Sequence, residues 1–108
     1  MYTDFTQDII KIIKSVPSGR VLTYGLVAKL AGNPRGARQV SRVLHSLTRK
    51  FNLPWHRIIN SKGVIAIKSA EGRDQQRMLL EREGIEFSAN QKIDLKKYIW
   101  KIKSFEKK

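Results

Sequence analysis

Most of the side chains able to do chemistry fall in one run of the 108-residue chain, Leu53-Pro54-Trp55-His56-Arg57-Ile58-Ile59-Asn60-Ser61-Lys62-Gly63. His56 can take up or release a proton near neutral pH. Arg57 beside it presents a planar fork of donors suited to carboxylates or backbone carbonyls. With a water and a distant carboxylate such as Glu83, His56 could serve a hydrolase as general base. Such a reaction also needs a group that attacks. The chain contains no cysteine, and nothing in the pattern marks an activated hydroxyl nucleophile. Trp55, directly before His56, is either a core aromatic closing a loop or the apolar wall of a pocket.

A second constellation is electrostatic. Lys and Arg number 22 against 9 acids, a net charge of +13, and no acid lies between Asp8 and Glu71. A field of one sign over a contiguous half of a small chain suits a polyanion, whose phosphates exchange counterions for basic side chains. An inert basic surface is the bland alternative. Anionic lipid fits less well, because no basic amphipathic segment presents an aromatic face. Within this stretch Arg38, Arg42, His45 and Arg49 recur at spacings of four, three and four, which places them along one side of a helix.

The elements that must position these residues are mainly helical. Residues 4–15 predict a first helix, with Asp4 as cap and Phe5, Ile9, Ile12, Ile13 and Val16 as its apolar stripe. Pro17-Ser18-Gly19 breaks it, and Thr23 starts a short helix from Tyr24 to Ala31 that Gly32 closes. After the turn Asn33-Pro34-Arg35-Gly36, residues 36–49 form a third helix with Ala37, Val40, Val43, Leu44 and Leu47 inward and the basic stripe outward. Two helices joined by a tight turn make a helix-turn-helix candidate, although many helical hairpins have basic exteriors. Residues 50–63 lack periodicity and predict a loop, and Val64–Ile67 predicts a short extended segment. A fourth helix spans about 71–83 and ends at Gly84. Leu95, Ile99 and Ile102 predict a short C-terminal helix that docks and then frays through its lysines.

Four motifs in order resemble the C-terminal domain of O6-alkylguanine-DNA alkyltransferases, covering about residues 5–87. They are Val21-Leu22-Thr23-Tyr24-Gly25, Ala31-Gly32-Asn33-Pro34-Arg35-Gly36-Ala37-Arg38-Gln39-Val40, the Leu53–Gly63 run, and Leu79-Leu80-Glu81-Arg82-Glu83-Gly84. The resemblance implies a mainly α, small single domain over 1–108, with a winged-helix-like helix-turn-helix and a short extended segment. The separate N-terminal domain of full alkyltransferases has no counterpart in this sequence. Trp55 stands where the family carries its alkyl-accepting cysteine, and indole cannot replace a thiolate. The pattern is that of the alkyltransferase-like proteins, which recognise alkylated guanine without repairing it.

What the resemblance implies for individual residues follows from the family's need to flip the damaged nucleotide out of the stack. Arg38 matches the arginine that fills the vacated place from the minor groove, against the plainer reading of a phosphate contact. Ala37 allows close approach, and Arg35 and Arg42 contact DNA beside it. Tyr24 matches the tyrosine that helps rotate the nucleotide, although an aromatic at a helix start often only packs. Trp55, Pro54, His56, Arg57 and Ser69 are the expected lesion pocket, Ser69 with an inserted residue in its vicinity and a solvated rim as its alternative. His56 and Glu83 match the pair that activates the family thiol, and without a thiol they become a structural pair. Arg57 anchors the same loop and Asn60 holds the turn closing at Gly63. One departure is Leu47, which occupies the position of the family's hinge asparagine.

The expected function is non-enzymatic recognition of O6-alkylguanine in duplex DNA and direction of the lesion to nucleotide excision repair. The expected partners are damaged double-stranded DNA and excision-repair proteins. The alternative is a helix-turn-helix transcription regulator reading intact major groove through Arg38 and Arg42. Two histidines and no cysteine give no reason to expect a metal, and no cofactor is expected. Met1-Tyr2-Thr3-Asp4 resembles no signal sequence and no apolar run reaches about 18 residues. A monomer, cytosolic and nucleoid-associated in a bacterium, is the expectation.

Overall fold

The computed structural model describes residues 2–105. Helix α1 (Asp4–Ser15) is capped by Thr3, whose hydroxyl accepts from the Thr6 N–H. The cap therefore lies one residue before the expected Asp4, which sits instead in the first turn, where its negative charge favours the helix N-terminus. Ile9, Ile12 and Ile13 are fully buried, each stabilising the fold by roughly 1.5–3 kcal/mol relative to exposure. They pack α1 on α2 (Tyr24–Leu30) and α3 (Ala37–Phe51).

Thr23 caps α2 by accepting from the Leu26 N–H, and Gly32 follows the helix at a φ of +104°. Gly36 precedes α3, where a Cβ would lie 2.5 Å from the Phe5 ring of α1 and force that ring to shift. Phe5 thus sets how close the start of α3 comes to α1. Helix α3 runs to Phe51, two residues past the expected end and straight through Leu47, and stops where Asn52 adopts a left-handed φ of 51°.

The segment expected to be a plain loop carries structure. A 3-10 turn at Trp55–Arg57 leads into β2 (Ile58–Ile59), which pairs in parallel with β1 (Leu22–Thr23), Leu22 opposite Ile58 and Thr23 opposite Ile59. Two-residue strands are too short to show alternation, and both are wholly buried, so no period marks them. Gly63 closes the following turn at a φ of +75°, with the Ile93 carbonyl 2.8 Å from where a Cβ would stand. Asn60 holds that turn, its side-chain oxygen accepting from the Lys62 and Val64 N–H groups. Val64 bridges to Lys92 in an antiparallel sense, and the rest of 64–67 forms no strand.

Helix α4 (Ala70–Arg82) starts at a Ser69 cap and ends before Gly84, at a φ of +90°. The expected C-terminal helix is a single turn, α5 (Leu95–Tyr98). Ile99 and Ile102 belong to an extended tail instead. The Ile99 position bridges in parallel to Val21, the Trp100 N–H donates to the Val21 carbonyl, and Ile102 and Phe105 pack on the helical core. Backbone pairing with Val21 and apolar docking outweigh a helical spacing only three residues deep. The fraying expected of the last lysines falls partly on 106–108, outside the described residues. No helix among the described residues is long and apolar enough to cross a membrane.

Candidate DNA lesion site

Helix α3 carries the basic face as its spacing requires. Arg38, Arg42, His45 and Arg49 are all exposed, as is Arg35 in the preceding turn, while Ala37 is half-buried at the helix start. The guanidiniums of Arg35, Arg38, Arg42 and Arg49 have no hydrogen-bond or ion-pair partner among the described residues. Charges held apart from carboxylates keep their full attraction for an external anion.

Beside the inner end of this face lies a cavity of about 360 Å³. Tyr24 from the start of α2 and Ile58 from β2 form one part of its wall. Leu44, His45 and Thr48 of α3 form another, and Trp55, Ile67 and Gln76 complete it. The β1–β2 register brings Tyr24, one residue past Thr23, near Trp55, three before Ile58. Burial raises the Tyr24 phenol above its ordinary value, so it stays neutral and keeps its O–H as a donor. Trp55, His45 and Thr48 also line a larger adjoining chamber of about 870 Å³, to which Pro54 and His56 contribute.

Behind Trp55 the loop is clasped to the end of α4. The His56 ring meets the indole edge-on, at 82° and 6.2 Å between centroids. His56 Nε2 lies 2.8 Å from Glu83 Oε2. Arg57 donates to the same carboxylate through Nη2 at 2.7 Å and through Nε at 3.1 Å, and its Nη1 donates to the Val16 carbonyl at 2.9 Å. The Gly19 N–H donates to Glu83 Oε1 at 3.0 Å. The side chains are little exposed, 13% for His56 and Glu83 and 19% for Arg57. Burial alone would raise the Glu83 carboxyl, but the hydrogen bonds from Arg57, His56 and Gly19 outweigh it and hold the group down at about 2. One carboxylate thus ties together the 55–57 turn, the 16–19 connection and α4.

The residues singled out from sequence are therefore divided among three places. Tyr24 and Trp55 share the cavity, Pro54 and His56 face the adjoining chamber, and Arg57 turns away into the clasp with Glu83. Ser69 is not among the residues lining either space; it caps α4, its hydroxyl accepting from the Gly72 N–H. Gln76 is a site residue that no sequence motif marks. It is 2% exposed, and its amide nitrogen donates to the His56 and Ile58 carbonyls at 3.0 Å each. A glutamine in the polar run of α4 gives no signal of burial.

This arrangement has counterparts. The DNA base-flipping protein of Escherichia coli K12 is 45% identical over 96 residues, 89% of this chain and 74% of its own length. Alkyltransferase-like protein 1 of Schizosaccharomyces pombe is 35% identical over 103 residues, 91% of this chain and 95% of its own. The crystal structure of S. pombe Atl1 in complex with damaged DNA containing O6-carboxymethylguanine superposes with a TM-score of 0.79 at 34% identity, covering 94% of this chain and all of that one. The model of the 6-O-methylguanine DNA methyltransferase DNA-binding domain matches residues 4–85. With that match spanning both the helix-turn-helix and the clasped turn, the chain belongs to the family of 6-O-methylguanine DNA methyltransferase DNA-binding domains.

Proposed function

We propose that this chain recognises O6-alkylguanine in duplex DNA without repairing it and marks the lesion for nucleotide excision repair. The observation that carries the reading is Trp55 lining the cavity beside Tyr24, in a turn whose sequence resembles the family's acceptor motif. An indole at that place offers an apolar face to an alkyl group and a flipped base, worth about 1–3 kcal/mol for a stacked base, and no thiolate to receive the alkyl group. The His56–Glu83 pair, which would have a thiol to serve in a transferase, holds the turn instead.

In this reading the exposed face of α3 seats on phosphates and Arg38 enters the stack from the minor groove as the nucleotide leaves it. Tyr24 assists the rotation. The damaged base is the cheaper one to extrude because its pairing is already weakened. Insertion of a side chain and extrusion of a base bend and unstack the duplex, which turns a small lesion into a large distortion that excision repair can detect. The names of the relatives support the lesion-binding part: one is a base-flipping protein, and another was crystallised on damaged DNA.

The test is a comparison of matched duplexes carrying guanine or O6-methylguanine, the latter with a radiolabelled methyl group. Tighter binding to the lesion with all label remaining on DNA is expected. Label transferred covalently to the protein would overturn the non-enzymatic reading, and equal binding to both duplexes would overturn lesion recognition.

A further inference from the structure

Where the extended tail passes α2 it leaves a groove of about 250 Å³. Leu26 and Leu30 of α2 and Trp100 and Phe105 of the tail supply its apolar lining. All four pack on the helical core and are only half-buried, so part of each stays open to the groove side of the molecule. Lys29 and Lys103 line the same groove, both exposed, and neither ammonium meets a carboxylate among the described residues. The Trp100 indole N–H and the Lys103 backbone N–H also lack an acceptor there, and the indole nitrogen is not fully buried. No lining residue of this groove borders the lesion cavity or its adjoining chamber.

An apolar slot flanked by unpaired cations and donors suits a ligand that is itself part apolar and part anionic. Duplex phosphates would meet the lysines but leave the apolar lining uncovered. A second copy of the chain carries the same net charge of +13 and would be repelled. Its Glu81, Glu83 and Glu86 already face Arg77, Arg57 and Lys97. A bilayer takes up protruding apolar side chains, and this surface is concave. We propose that the groove docks an acidic peptide segment of a partner protein. One bulky apolar side chain of that segment fills the slot, and carboxylates beside it meet Lys29 and Lys103. Because the groove and the lesion site share no lining residue, the segment and DNA are held together rather than in competition.

The experiment titrates the isotope-labelled full chain with a synthetic peptide in which aspartates flank a leucine–phenylalanine pair, and follows the backbone amide resonances. Saturable shifts are expected at Leu26, Lys29, Leu30 and residues 100–105, and they should persist with O6-methylguanine duplex bound. Alanines in place of the apolar pair, or asparagines in place of the aspartates, should each weaken binding about tenfold. The double variant Lys29→Glu, Lys103→Glu should lose about as much, through two broken ion pairs and the repulsion that replaces them. Both positions are exposed, and the variant should keep the preference of the natural chain for O6-methylguanine over guanine duplex.

Shifts confined to the α3 face, or displacement of the peptide by duplex, would make it a polyanion mimicking DNA and overturn the proposal. So would the absence of saturable shifts, an alanine peptide that binds as tightly as the parent, or a double variant that binds the parent peptide undiminished. Loss of lesion preference in the double variant would assign the groove to the lesion site instead. Equal binding of guanine and O6-methylguanine duplexes by the natural chain would remove lesion recognition and leave the docking groove standing.

Discussion

Replacing Glu83 by glutamine keeps its volume and removes the charge at the centre of the clasp. Arg57 would keep its place 2.9 Å from the Val16 carbonyl but lose the carboxylate that accepts from Nε and Nη2. Removing one partner of a buried pair typically costs about 3–5 kcal/mol because the other charge is stranded. The residual exposure of both side chains places this pair at the lower end. Linkage gives a second estimate. A carboxyl held at about 2 in the fold, against 4.5 when unfolded, ties at most roughly 3 kcal/mol of stability to its ionisation. Because the folded value is the lower one, this stability is complete above about pH 4.5 and is lost as the pH falls towards 2. Urea unfolding at pH 7 should therefore show Glu83→Gln less stable by about 3 kcal/mol, a large share of the roughly 5–15 kcal/mol of a small domain. The two proteins should converge between pH 4.5 and 2, since only the natural chain loses the contribution there. A cost below about 1 kcal/mol at pH 7, or parallel stability curves down to pH 2, would refute the clasp as a charged anchor.

Three further outcomes are expected. Arg38→Ala should weaken binding to O6-methylguanine duplex by about 1–3 kcal/mol in a titration, because the gap in the stack stays empty. The exposed α1 change Lys14→Ala should act only as one lost phosphate contact, and equal effects of the two would reduce Arg38 to the same role. Trp55→Cys should not give rapid stoichiometric transfer of a radiolabelled methyl group, since a reactive thiolate needs a lowered pKa and close placement against the alkyl carbon. Fast transfer by this variant would mean that the turn had kept a catalytic geometry. A reconstituted excision-repair reaction on O6-alkylguanine DNA should show more incision with the protein than without it, and unchanged or reduced incision would favour simple shielding.

The helices were legible because their stripes are long. The α1 isoleucines and the basic face of α3 each repeat over three or four turns, enough for the helical period to show. The clasp was legible only in part. Glu83 could be paired with His56 through the family motif, and Arg57 could be expected to find a carboxylate or a carbonyl; it finds both. The Gly19 N–H was invisible, because a backbone donor 64 residues from its acceptor leaves no trace in residue type. Strands β1 and β2 and the extended tail depend on pairing across the chain, which no local pattern records. Gln76 and Ser69 show the same limit in side chains. One polar residue of the α4 region is buried behind the 56–58 turn, while the other caps the helix.

The two-residue ladder between β1 and β2 also orders events in time. Helices α2 and α3 meet across one short turn, whereas Leu22 must find Ile58, and Gly19 must find Glu83, 64 residues on. Closing such loops costs entropy before any contact repays it, so local helices lead and long-range pairings follow. Pulse-labelled hydrogen exchange should protect α3 amides before the Gly19 amide, and the reverse order would contradict this sequence of events. Until Glu83 is in place, the 55–57 turn lacks the carboxylate that ties it to the 16–19 connection. The basic face of α3 therefore depends on local helix formation alone, whereas the wall that Trp55 contributes to the cavity waits for a contact made across the length of the chain.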